Sequence, residues 1–128
     1  MMIEEINDLP EKLSSDKLRI IFLRVIKCNE EVVVKFECIN ELAEKQWHNY
    51  ELIDIDLRDV IIEWMQRNLD FDSPTMVDYS LNIISYLGLQ QVYEWLKKCK
   101  MKNDEAQRLV EEAIKEYGED VSNPYTGM

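Results

Sequence analysis

Glycine is scarce in this 128-residue sequence: Gly88, Gly118 and Gly127 are all it has. Phosphate and dinucleotide sites need close backbone approach, usually supplied by glycine at a helix start. These three follow predicted helices or sit in the tail, so neither a GxGxxG nor a phosphate-binding loop is present. Nucleotide cofactors are not expected.

His48 is the only histidine, and Cys28, Cys38 and Cys99 show neither paired nor metal-site spacing. A typical zinc site and a recognisable Cys–His nucleophile pair are thereby excluded, and reduced thiols are the simpler reading. Long apolar runs are also missing: nothing approaches the roughly twenty residues of a membrane span. The opening "MMIEEINDLPEKLSSD" carries acids where a signal peptide needs a basic flank. A cytoplasmic location follows as an expectation.

Positive charge is the next shortage. Fifteen Lys and Arg face twenty-six Asp and Glu, for a formal charge of -11. A folded domain with that balance is repelled by nucleic acid and anionic membrane and draws in basic macromolecules. Hydrophobic content is nevertheless 46%, with three Trp, six Tyr and three Phe, which argues against disorder. The length suits one domain, 1–128, able to bury a core without a metal or disulfide. A loose N-terminal arm, 1–16, and a flexible polar tail, 118–128, are expected at its ends.

Two runs rich in β-branched residues, "LRIIFLRVI" and "VVVKFECI", flank "KCNEE". Reversal at Asn29–Glu30 sets Ile21, Leu23 and Val25 opposite Cys38, Phe36 and Val34, all apolar, and leaves Arg24 facing Lys35. That agreement predicts a hairpin, in which Cys38 is a packed thiol. "WHNYELIDI" is a candidate third strand. The expected fold is α+β, with a small antiparallel sheet of two or three strands over about residues 18–55 and about four helices after it. A wholly helical fold is the alternative.

Helical spacing is clear from Asp56 onward. Leu57, Val60, Ile61, Trp64 and Met65 form one stripe, with Asp56 as its cap. Ser73 followed by Pro74 predicts the next helix start, and Gly88 its end. Leu89, Val92, Tyr93 and Leu96 mark another helix. The last is capped by Asn103, carries a stripe of Ala106, Leu109, Val110, Ala113, Ile114 and Tyr117, and stops at Gly118.

The acidic residues invite three readings. Asp56, Asp59 and Glu63 share one wet surface rather than opposite walls of a cleft, which disfavours paired-carboxylate catalysis. Asp70, Asp72 and Asp78 resemble a calcium loop only superficially. Counted from Asp70, positions six and twelve are Thr75 and Leu81 rather than Gly and Glu. No metal, cofactor or enzymatic activity is therefore expected.

The third reading is a docking face. Glu51–Asp78 contains eight acids and two arginines, whereas Tyr79–Lys102 contains four lysines and one acid. Trp47, Tyr50 and Phe71 supply aromatic anchors beside Glu51, Asp54, Asp56, Asp59, Glu63, Asp70 and Asp72, the mixture that gives interfaces affinity and encounter rate. This character, including the "W…YELIDIDL…VIIEW" stretch, resembles the small acidic immunity proteins of bacterial toxin–immunity and contact-dependent inhibition systems. The resemblance implies a non-enzymatic inhibitor that neutralises a basic partner such as a nuclease toxin. The competing expectation is a structural or regulatory adaptor, self-associating through exposed Tyr and Trp.

Overall fold

The computed structural model describes residues 2–10 and 12–125, and it is helical throughout. Among the described residues seven helices follow in order: α1 Met2–Asn7, α2 Ser15–Lys27, α3 Val32–Trp47, α4 Ile55–Asn68, α5 Pro74–Leu87, α6 Gln90–Lys98 and α7 Asp104–Tyr117. Among the described residues there is no strand, which overturns the expected sheet over 18–55 in favour of the all-helical alternative.

The reason is visible in which residues are buried. A hairpin would turn Ile21, Leu23 and Val25 to one face; α2 instead buries Leu18, Phe22 and Val25, spaced four and three apart. The α3 stripe runs Phe36, Ile39, Leu42, Ala43 and Gln46, well past the end of the presumed strand. Sixteen residues with one continuous stripe make a helix. The low helix propensity of Val and Ile costs only a few tenths of a kcal/mol each, against roughly 1.5–3 kcal/mol for burying a large apolar side chain. Start signals agree: Ser14 caps α2 by accepting from the Lys17 amide at 3.3 Å. The third strand is absent too: Trp47 ends α3, a turn and an extended link follow, and Ile55 opens α4.

Helices α3 and α5 form the centre. The Tyr79 hydroxyl donates to Glu37 at 3.2 Å near their starts, and the Trp47 and Tyr86 rings lie 5.9 Å apart near their ends. The two helices therefore run in the same direction, with α4 as the return. Helices α1 and α2 pack on α3, while α6 and α7 pack on α5. Phe36 and Trp64, 4.5 Å apart between ring centroids, join α3 to α4.

The later helices follow their sequence signals. Ser73 caps α5 with Pro74 behind it, and Asn103 caps α7. Gly88 closes α5 at φ 69°, the left-handed geometry that favours glycine. In α4 the cap position belongs to Asp54, not Asp56, which lies in the first turn. Val60, expected inward, is 40% exposed, and Ile62 is buried instead.

Cys38 is buried, and its thiol is pushed up to about 11, first by burial and then by the Glu37 carboxylate. Among the described residues, which include Cys28, Cys38 and Cys99, no disulfide is formed. Of the arm expected over 1–16, Ile6 of α1 is buried against the core. Of the tail expected over 118–128, the part up to Tyr125 lies against the helices. The remaining residues of those two segments, Met1, Glu11 and 126–128, are outside the described residues.

Candidate functional site: an acidic loop studded with exposed apolar residues

The link between α3 and α4 leaves its helix by an unusual turn. The amides of His48, Asn49 and Tyr50 donate back to Glu44, Gln46 and Trp47, and Tyr50 then adopts φ 55°. A side chain other than glycine in this region carries strain, on the order of 1 kcal/mol or more. Beyond Tyr50 the chain is extended and held by its neighbours. The amide nitrogen of Gln46, a residue only 2% exposed, donates to the Glu51 carbonyl at 2.9 Å and to the Ser15 hydroxyl at 3.1 Å. Ser15 in turn donates to the Glu51 carboxylate at 3.0 Å, and Asn49 donates to the Leu13 carbonyl at 2.6 Å.

This anchoring leaves three large apolar side chains in water. Tyr50 is 66% exposed, Leu52 60% and Ile55 64%. Glu51, Asp54, Asp56 and Asp59 alternate with them and are all exposed. Asp54 meets Arg19 at 3.4 Å, whereas Glu51, Asp56 and Asp59 have no ion-pair partner among the described residues. Arg19, Ile53, Asp54, Ile55 and Asp56 line an open depression here. Arg58 is the one cation on this turn of α4.

The remaining predicted residues separate from this loop. Trp47 is half-buried beneath it, edge-on to His48 and stacked on Tyr125. Glu63 pairs with Arg67 one turn along the helix. Asp70, Phe71 and Asp72 lie past the far end of α4, about 20 Å away by helical rise. There the Asp70 carboxylate accepts from the Asp72 amide at 2.9 Å, Phe71 packs on Trp95 at 5.3 Å, and Lys100 and Lys102 line the same hollow. Those two aspartates sit among the chain's own lysines. The predicted ten-residue face is thus two places, and only Tyr50–Asp59 stays acidic and open.

Sequence reasoning missed the apolar half of this face. Leu52 and Ile55 were read as strand residues, and Ile20, 66% exposed beside Arg19, as part of a hairpin. It also missed a second acidic stretch. Glu37, Glu41 and Glu44 fall on one side of α3 at helical spacing and border Tyr79 and Tyr86 of α5. Burial, then the Glu44 and Glu41 carboxylates, raises the Tyr86 phenol; burial, then Glu37, raises that of Tyr79. Once α3 is known to be a helix, that spacing is the signal.

Among the described residues, no group of three or more His, Cys, Asp or Glu could hold a metal ion. No helix there is long and apolar enough to cross a membrane. Comparison with protein-family models, with curated proteins and with solved structures finds no match for this chain.

Proposed function

We propose that this chain is a non-enzymatic cytoplasmic binding protein that covers a basic protein partner with its Tyr50–Asp59 face, in the manner of an immunity protein that neutralises a nuclease toxin. One observation carries the reading: Tyr50, Leu52 and Ile55 stand in water while interleaved with four carboxylates, only one of them ion-paired among the described residues. A monomer gains nothing by exposing these side chains. An interface regains about 25 cal/mol for each Å² of apolar surface it covers. The carboxylates speed encounter with a positive surface and occupy positions that phosphates would otherwise visit on a nuclease.

The test is capture of a basic nuclease domain by this protein, with its activity assayed across a salt titration. Tight capture and inhibition, with association slowing as salt rises, is the expected result. Reversing Asp56 and Asp59 together to Lys should slow association at low salt and leave the fold intact. Binding and salt dependence both unchanged by that reversal would remove the face from consideration. An adaptor that self-associates through Ile20 and Ile55 is the second reading, supported by the same exposure. It would show concentration-dependent sedimentation without any partner.

A further inference from the structure

We propose that the C-terminal strap, Glu119–Tyr125, is a clamp that fixes the shape of the Tyr50–Asp54 loop, with Tyr125 as the positioning residue. This inference rests on the docking role just proposed for that loop and adds the part of the chain that controls it.

The strap is seated at three successive points. Gln90 of α6 donates to the Glu119 carbonyl at 2.9 Å and accepts from the Val121 amide at 2.6 Å, and Val121 is buried. Next, the Ser122 carbonyl oxygen passes so close to Gly88 that a Cβ there would meet it at 2.6 Å. Lastly, the Pro124 carbonyl accepts from the Trp47 indole at 3.1 Å. These contacts deliver Tyr125 between two aromatic rings. Its ring lies 6.1 Å from Trp47 and 5.5 Å from Tyr50, at interplanar angles of 24° and 27°.

The consequence falls on the loop. The Tyr125 hydroxyl donates to the Glu51 carbonyl at 3.4 Å, the same oxygen that Gln46 holds from the α3 side. Tyr50 keeps its left-handed backbone, and such strain persists where surrounding contacts over-determine it. Stacking of Tyr125 on Trp47 and Tyr50 adds attraction beyond area burial and offsets part of that cost. Tyr50 remains 66% exposed, so the strap supports the loop from behind and leaves its outer side open.

Amide hydrogen exchange on the full chain, without any partner, tests the clamp. The Asn49 and Tyr50 amides, bonded to Gln46 and Trp47 carbonyls, report closure of the turn. In Tyr125→Ala their exchange should quicken about tenfold while the Val77 amide of α5, bonded to the Ser73 carbonyl, keeps its protection. Tyr125→Phe, which retains the ring, should stay within about threefold of the parent. Exchange of Asn49 and Tyr50 unchanged in Tyr125→Ala would overturn the clamp, and so would equal acceleration across α5. If the clamp fails while the Asp56 and Asp59 reversal still slows association at low salt, the docking face stands without it. If the clamp holds and that reversal changes nothing, the docking reading fails alone.

Discussion

Trp47 and Pro124, 77 positions apart in sequence, are joined by one hydrogen bond from the indole N–H to the carbonyl oxygen at 3.1 Å. The bond ties the last turn of α3 to the strap. It sits within a ring cluster of Trp47, Tyr86, Tyr125 and Tyr50. Trp47→Phe keeps an aromatic ring but removes the donor. Stability should fall by about 0.5–1.5 kcal/mol, read from urea unfolding with an unchanged slope. A loss above about 3 kcal/mol would make Trp47 a core residue rather than a pin.

Leucines 42 and 52 separate packing from docking. Leu42 is fully buried in α3 and Leu52 is 60% exposed in the loop. Leu42→Ala should cost about 2–5 kcal/mol through transfer and cavity terms. Leu52→Ala should change stability by less than about 0.5 kcal/mol, yet weaken partner capture if the loop is the contact. Thermal or urea unfolding of the two variants decides the first half. Equal destabilisation would show that Leu52 packs inward and that the face is not open.

What could be read from the sequence divides near Ile55. Beyond it, cap chemistry and apolar period agree: Ser73–Pro74, Gly88 and Asn103 each end or start a helix where expected. Before it, the β-branched runs fit either period over eight residues. The hairpin pairing of Ile21 with Cys38 and of Leu23 with Phe36 was apolar by coincidence: Ile21 and Leu23 are partly buried beside the α2 stripe, while Cys38 and Phe36 are buried in α3. The tie-breaker lay in "NELAEKQ", where Leu42, Ala43 and Gln46 extend the stripe to helix length. The acidic half of the candidate site was legible because charge needs no fold to be counted. Its division into two places was not, because the length of α4 separates Asp56 from Asp70 only once the helix is formed.

Gly88 links the end of α5 to the strap by two separate constraints. Its φ of 69° disfavours any side chain, and a Cβ would meet the Ser122 carbonyl at 2.6 Å. Gly88→Ala should therefore destabilise by more than about 1 kcal/mol. In a chain ending at Gly118 the collision is gone and only the backbone strain remains, so the same substitution should cost less there. A double-mutant cycle from chemical unfolding measures the difference. Strict additivity would mean that the strap does not press on Gly88.

Glu41 gives the fold a specific pH signature. Burial raises its carboxyl above the ordinary 4.5, Glu44 raises it further, and Lys45 offsets part of this. The folded chain then holds this proton more tightly than the unfolded chain. Between the ordinary and the raised value the native state carries more protons, so this group's contribution falls as pH rises through that window. Above the window the ionised carboxylate is a constant cost. Glu41→Gln keeps the shape and removes the charge, so the variant should be more stable than the parent at pH 7. Its advantage should shrink on acidification and vanish below the ordinary value, where the parent carboxyl is protonated in both states. Urea unfolding of both proteins at pH 7 and near pH 4 checks the sign. An advantage that grows on acidification, or none at pH 7, would mean that Glu41 is solvated well enough to ionise freely beside Glu44 and Tyr86.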